Sequence, residues 1–232
     1  MIAPTLEVEL ELVAQLGARM RTEGGLIIGM DEVGRGAVAG PVAVGAVALD
    51  PAAVEVPDGL RDSKLLTERR REALYPVVTG WGTARGVGLA SSQEVDELGI
   101  IGALGLAGAR ALVRLHEAGV GIRASVVLLD GSHDWLTPAL RHAPRIRTRV
   151  KADRDCASVA GASVLAKVHR DRLMATSDIE HPGYGWARNK GYGAPDHLAA
   201  VRSAGPSPLH RLTFLGNHLA SIDGPSGAAA TA

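Results

Sequence analysis

The segment Ser125-Val126-Val127-Leu128-Leu129-Asp130-Gly131 constrains this chain more than any other. Its apolar residues do not alternate with polar ones, so a strand here must be covered on both faces. Strands of that kind belong to parallel sheets sandwiched between helices. The run ends on an acid, and in open α/β sheets ligand and catalytic groups gather outside the carboxyl ends of the strands. Asp130 is therefore a candidate site residue, with a plain turn residue before Gly131 as the competing reading.

A second segment fits such a sheet. Residues 26–31, Leu26-Ile27-Ile28-Gly29-Met30-Asp31, run directly into Glu32-Val33-Gly34-Arg35-Gly36. Neighbouring side chains on a strand face opposite ways, so Asp31 and Glu32 serve one site only if the strand ends between or just after them. Gly34 and Gly36 supply that ending and leave the backbone bare, which lets its N–H groups and Arg35 approach a sugar or phosphate closely. The competing reading is a glycine turn with two solvated acids.

The valine- and alanine-rich residues 42–49, and residues 84–90 after Gly80 and Gly82, complete three strands with hairpin-type spacing. Between them Arg61-Asp62-Ser63-Lys64-Leu65-Leu66 is a polar loop, followed by a helix over residues 67–75. Its Arg69, Arg70 and Arg71 read as a solvated face or as contacts to a nucleic-acid backbone. Ser91 and Glu94 have capping-box spacing ahead of a long helix of small residues over 100–117. Residues 145–153 read as a fifth strand, with Arg145, Arg147, Arg149, Lys151 and Asp153 on one face and Ile146, Thr148 and Val150 on the other. That stripe is either a charge-guarded edge or a rail for phosphates leading to a carboxylate. A helix of small residues over 157–174 follows, then a polar, glycine-rich stretch from Pro182 through Tyr192, and a short helix opened by Pro195.

The expected fold is α/β: a mixed five-stranded sheet, three antiparallel strands then parallel strands, with helices on both faces and a C-terminal helical segment. One catalytic domain is expected over residues 1–221, with an N-terminal helix inside 1–25 and a disordered tail at 222–232 rich in Gly, Ala, Pro and Ser.

Composition narrows the function. A formal net charge of +0 and a pI of about 7.1 exclude a bulk field that draws the chain to nucleic acid or to an anionic membrane, so any polyanion must be met by local patches. Aromatic residues make up 3%, too few for a base-stacking platform. The single cysteine, Cys156, leaves no disulfide partner and no thiolate metal site. Acids at Glu7, Glu9 and Glu11 stand where a secretory signal carries bases, and no uncharged apolar stretch approaches the roughly 20 residues of a membrane span. A cytoplasmic protein without a membrane partner is expected.

In the expected sheet Asp31 and Glu32 end the first strand, Asp130 the fourth and Asp153 the fifth, so the four carboxylates converge. Like charges at close range raise one another's pKa, and a pair of divalent cations removes the conflict. All-oxygen ligands suit Mg²⁺ or Mn²⁺ rather than Zn²⁺, and two such ions about 3.5–4 Å apart clamp the attacking and leaving oxygens of a phosphoryl transfer. Asp155 would share the face of Asp153 if the strand continued, and is its rival.

These residues resemble the type 2 ribonucleases H, and the ribonuclease HII branch in particular. The matching segments are residues 29–41, Asp62-Ser63-Lys64, Leu129-Asp130-Gly131, residues 151–171, Lys190-Gly191-Tyr192-Gly193 and His210-Arg211. The resemblance implies an RNase H-like fold. It also implies a two-metal endonuclease, using Mn²⁺ or Mg²⁺, that cleaves 5′ to a ribonucleotide in RNA/DNA hybrids or in DNA duplexes containing ribonucleotides. By motif position it implies Asp31, Glu32, Asp130 and Asp153 as metal ligands and Gly34, Arg35 and Gly36 as the contact to the ribose 2′-hydroxyl. Tyr192 is implied as the residue that stacks on or hydrogen-bonds that sugar, and Lys64 and Lys190 as further substrate contacts, within a substrate-contacting segment at 182–218. Ala37 and Ala152 depart from the family's usual proline and glycine, and neither removes a ligand. The ribonuclease HIII branch lacks the arginine of the glycine loop, which is present here as Arg35. A small-molecule phosphatase would not need Arg35 and Tyr192, and a non-catalytic binding module would be expected to have lost a carboxylate. No sliding-clamp peptide pattern is evident in the tail.

Overall fold

Strand β1, Ile27–Val33, lies at the centre of the sheet in this computed structural model, which describes residues 3–220. It pairs antiparallel with β2, Val42–Leu49, which pairs antiparallel with β3, Ala84–Ala90. On its other side β1 runs parallel to β4, Val126–Asp130, and β4 parallel to β5, Arg145–Arg149, giving the order β3-β2-β1-β4-β5. The helices are α1 (Glu7–Thr22), α2 (Glu68–Gly80), α3 (Ser92–Glu117), α4 (Ala152–Asp155), α5 (Ala157–Glu180), α6 (Trp186–Asn189), α7 (Pro195–Ala204) and α8 (Leu212–Ala220). The expected tail at 222–232 lies outside the described residues.

The alternation along each strand decides which helix covers which face. Ile27, Val47 and Leu128 pack with Leu12 of α1, Val78 of α2 and Ala160 of α5. Ile28, Met30, Val44 and Leu129 pack with Leu104, Ala107 and Leu115 of α3. By length and composition α3 is apolar enough to cross a membrane, but its apolar side is spent against the sheet.

Glycines in the strands bring the helices close. A Cβ at Gly29 would overlap the backbone of Ser158, one at Gly45 the carbonyl oxygen of Ala162, and one at Gly88 the carbonyl oxygen of Ala107. Intrinsic propensity favours alanine over glycine within a strand. Gly45→Ala is nonetheless expected to destabilise the fold by about 1–3 kcal/mol, because β2 and α5 must part to admit the methyl group. A lower urea midpoint at unchanged m value is the expected result; an equal or higher midpoint would mean that α5 does not rest on β2.

Helices α2 and α5 run on past their expected ends to Gly80 and Glu180, and three further boundaries differ from expectation. Helix α3 begins at the capping box itself: Ser91 Oγ accepts the Glu94 N–H at 3.1 Å and Glu94 Oε2 accepts the Ser91 N–H at 2.8 Å. It breaks at Gly99, where φ is 68°, and residues 100–117 are its second half. Strand β1 continues to Val33 along β2, although its pairing with β4 stops at Met30 opposite Leu129. Strand β5 stops at Arg149, because Lys151 takes a left-handed conformation (φ 63°) and starts α4. The basic stripe is therefore three arginines long, and Lys151 and Asp153 leave its face.

Candidate active site

Where the β1–β4 pairing ends, the chain opens a cleft with Asp31 and Glu32 on one side and Asp130 on the other. Asp31 follows Ile27 and Gly29 toward α5, which makes it a buried carboxyl. Burial and the charge of Glu32 push its pKa up to about 8, against the pull of Lys64 and a hydrogen bond from Ser163. Burial also raises Glu32, with Arg35 pulling it down and Asp130 pushing it up. Asp130 is raised by burial and by the charge of Asp153, while the N–H groups of Ala152 and Asp153 donate to it, the latter at 3.4 Å. Asp153 reaches the cleft because α4 turns it inward; it is buried, with Oδ2 3.1 Å from Lys64 Nζ. Asp155, its rival, points away and binds Arg149 at 2.9 Å at the surface.

The site is thus a group of mutually repelling carboxyls with a lysine as counter-ion. Burial lowers the pKa of the Lys64 ammonium, but the charges of Asp31 and Asp153 more than restore it, above the ordinary lysine value. The donor set is all oxygen and suits a hard divalent cation. The raised pKa values of Asp31, Glu32 and Asp130 are what such a cation would reverse. Among the described residues no three of these side chains close on one point.

Lys64 sits on a tight turn, Ser63–Leu65, capped by Asp62, whose Oδ1 accepts the Lys64 N–H at 2.9 Å. Arg71 reaches back from α2 and donates to the carbonyls of Ser63 at 2.9 Å and Leu66 at 2.6 Å. Arg154 of α4 stands 3.6 Å from the buried Asp62 Oδ2. Ser63 Oγ lies 2.8 Å from Ser163 Oγ, which ties the turn to the helix that supports Asp31. The reading of Arg71 as part of a solvated face is therefore corrected: it holds the turn that carries Lys64, and its side chain is largely buried.

The glycine loop is held from below by two buried arginines. Arg170 of α5 donates to the carbonyls of Pro41 (2.8 Å), Lys190 (2.8 Å) and Ala39 (3.0 Å). Arg211 donates from Nε to the Gly40 carbonyl at 2.9 Å and from Nη1 to the Arg35 carbonyl at 3.2 Å. Burial and the neighbouring Arg170 push the Arg211 pKa down to about 9, which leaves it charged at neutral pH. Gly34 has φ 82°, and a Cβ there would overlap the Arg170 guanidinium. The loop so held presents Arg35, half exposed and 3.6 Å from Glu32.

The 190–193 segment closes against this loop. The N–H groups of Val38 and Ala39 donate to the Gly191 carbonyl at 2.9 and 3.0 Å. Gly191, with φ 82°, lies so close to Ala39 that a Cβ would overlap its carbonyl oxygen. The Tyr192 ring lies beside Arg170, 5.5 Å from the guanidinium carbon, with one edge exposed. Lys190 is left-handed (φ 53°), and its ammonium is taken up by Glu68 at 3.3 Å and the Ala187 carbonyl at 2.6 Å.

The structure thus brings Asp31, Glu32, Asp130, Asp153 and Lys64 to one cleft and sets the Gly34-Arg35-Gly36 loop beside Tyr192. Lys190 is turned away toward α2. Reading the chain in order does not find Arg71, Arg170 and Arg211 as supports: Arg170 and Arg211 bond carbonyls far away in sequence, and Arg71 folds back onto the turn before its own helix. The signal available for Arg211 is its place in the matched His210-Arg211 pair.

Comparison with known proteins bears on this arrangement. The Ribonuclease HII family profile matches residues 28–216. A ribonuclease HII of Streptomyces avermitilis is 45% identical over 211 residues, which cover 91% of this chain and 83% of that protein. Among solved structures, the ribonuclease H2 of Pyrococcus horikoshii OT3 superposes with a TM-score of 0.65 at 24% identity, over 86% of this chain and all of that one. A Bst ribonuclease HIII in complex with Mn²⁺ superposes with a TM-score of 0.67 at 21% identity, over 90% of this chain and 74% of that one. At these identities the structural likenesses speak for the RNase H-like fold.

Proposed function

Because the chain belongs to the ribonuclease HII family, ribonucleases H that act on RNA/DNA hybrids, we propose that it is a metal-dependent endoribonuclease cutting on the 5′ side of a ribonucleotide. Its substrates are RNA/DNA hybrids and DNA duplexes with embedded ribonucleotides. The products carry a 3′-hydroxyl and a 5′-phosphate, and the cellular role is ribonucleotide removal from DNA in the cytoplasm. The observation that carries this reading is the juxtaposition of the four-carboxylate cleft with a glycine loop that offers Arg35 and bare backbone.

In this reading Asp31, Glu32, Asp130 and Asp153 hold Mn²⁺ or Mg²⁺. Two such ions, when bound, neutralise charge on the attacking and leaving oxygens of an in-line displacement. Lys64 contacts the phosphate beside the cleft, and the turn gripped by Arg71 keeps it there. Residues 34–36 and Tyr192 contact the ribose and its 2′-hydroxyl, the group that tells RNA from DNA at a given site. Lys190 serves the same segment through its carbonyl, which Arg170 binds. The 182–218 segment meets substrate through Tyr192, while Trp186, His197 and His210 are buried behind it.

The test is a gel assay on a DNA duplex with one ribonucleotide, run with Mn²⁺, Mg²⁺ or chelator and mapped to the nucleotide. The expected result is metal-dependent incision 5′ to the ribonucleotide, leaving a 3′-hydroxyl. Cutting confined to continuous RNA/DNA hybrids would overturn the roles given to residues 34–36 and Tyr192 while keeping the carboxylate site. Cutting in chelator would overturn the carboxylate site.

A further inference from the structure

Behind Tyr192 lies a buried chain of hydrogen bonds that the catalytic reading does not use. His197, on the first turn of α7, places Nδ1 2.8 Å from the Tyr192 carbonyl oxygen. That oxygen also accepts the Ala194 N–H at 2.8 Å, so two bonds fix its direction. The other nitrogen of His197, Nε2, receives the indole N–H of Trp186 at 3.0 Å and stands 3.0 Å from His210 Nε2. His197, His210 and Trp186 are all buried, so His210 touches no substrate.

The end groups dictate where every proton sits. A carbonyl only accepts, which requires a proton on His197 Nδ1; an indole N–H only donates, which requires His197 Nε2 to be bare. The Ser207 N–H donates to His210 Nδ1 at 2.8 Å, so the His210 proton is on Nε2 and points at His197 Nε2, whose single lone pair it shares with the Trp186 N–H. The Ser207 carbonyl, 3.3 Å from the same nitrogen, has a free lone pair beside the one taken by the His210 backbone N–H, but the shorter bond from the Ser207 N–H, a group that only donates, requires Nδ1 bare, and the Ser207 hydroxyl at 3.1 Å can donate there as well. The chain therefore runs one way, from Ser207 through His210 and His197 to Tyr192, with both imidazoles neutral.

The geometry points to His197 as a positioning residue for Tyr192: with His210 and Trp186 behind it, its Nδ1–H aims the Tyr192 backbone so that the ring meets the ribose at the junction. This rests on the reading of Tyr192 as a ribose contact given above. Removing the donor leaves the carbonyl with the Ala194 N–H alone and lets the ring drift, and displacement of a substrate-positioning group by about 1 Å costs up to about 10²-fold.

Three variants and one spectrum test this in the full chain. Each variant is assayed for the ratio of kcat/KM on a duplex with one embedded ribonucleotide to kcat/KM on a continuous hybrid. Tyr192→Ala sets the reference and is expected to lower the ratio. His197→Ala is expected to lower it about tenfold or more, and His197→Asn, which keeps an N–H near the Nδ1 position, to restore most of it. If Tyr192→Ala lowers the ratio but His197→Ala leaves it unchanged, or reduces both activities equally, the positioning role is overturned while the reading of Tyr192 stands. An unchanged ratio in Tyr192→Ala overturns that reading and the positioning role with it. Should His197→Ala fail to fold, long-range ¹H–¹⁵N spectra of the intact protein at neutral pH decide. They are expected to show His197 protonated at Nδ1 and His210 at Nε2, and a proton on His197 Nε2 would overturn the proposal.

Discussion

Asp31→Asn is expected to reduce cleavage by about 10²–10³-fold or more and, in chelator, to raise the melting temperature. The first effect follows from removing the most buried ligand of the proposed site, since metal ions stabilise transition-state charge by several kcal/mol and each 1.36 kcal/mol is about tenfold in rate. The second follows from the raised pKa of Asp31. With its folded value near 8 and its unfolded value near that of an ordinary carboxyl, the folded protein binds more protons than the unfolded chain between those limits. The contribution of Asp31 to the stability of the metal-free protein is therefore fullest below the unfolded value and is lost as pH rises through about 8. The asparagine variant lacks that slope and stands above the parent on the alkaline side. Thermal melts in chelator across this window, repeated with Mn²⁺, read both arms. The parent is expected to gain more from Mn²⁺ than the variant, because a ligand that binds only the folded state stabilises by mass action. Equal gains would remove Asp31 from the ligand set, and a lower melting temperature for the variant at alkaline pH would show its carboxylate to be a net stabiliser.

Arg170→Met is expected to destabilise the fold by roughly 3 kcal/mol or more, which at this chain length lowers the melting temperature by about 6–12 °C. The methionine keeps most of the volume but leaves the carbonyls of Ala39, Pro41 and Lys190 without their donor. Each stranded buried carbonyl costs about 1–3 kcal/mol. Arg170→Lys is expected to recover only part of the loss, because one ammonium does not reproduce the fork that reaches three acceptors. Urea titration separates the outcomes. A variant as stable as the parent would mean that water replaces the guanidinium and that the loop does not depend on it.

The strands and the candidate carboxylates were legible for local reasons. Apolar runs ended by acids mark strand ends whichever partner lies beside them, and the capping pair Ser91 and Glu94 announces a helix within four residues. The end of β5 was not legible, because the period-two pattern from Arg145 runs on through Asp153 and no glycine interrupts it. A left-handed lysine ends the strand, a conformation uncommon outside glycine. For Asp153 the expected ligand role survives as a proposal, although it arrives from a helix instead of a strand. The supports of the site were hidden for the opposite reason. Arg170 bonds residues 129 and 131 positions earlier in the chain, and Arg211 one 171 positions earlier, and such pairings exist only once the sheet has formed.

Arg170 and Arg211 donate to backbone carbonyls, Arg211 Nη2 is buried without a hydrogen-bond partner, and among the described residues neither arginine is hydrogen-bonded to a carboxylate. Two positive charges thus lie behind the glycine loop of a chain whose formal charge is +0. Dissolved ions shorten the reach of surface charges to about 8 Å at physiological ionic strength, but they screen buried charges far less. On the proposed reading, rising salt weakens what the exposed Arg35 and Lys64 side chains contribute to holding an anionic strand. The two guanidinium groups in the floor of the loop are screened far less, so on the proposed reading a nearly neutral protein has one spot where its pull on a polyanion outlasts that of its surface charges.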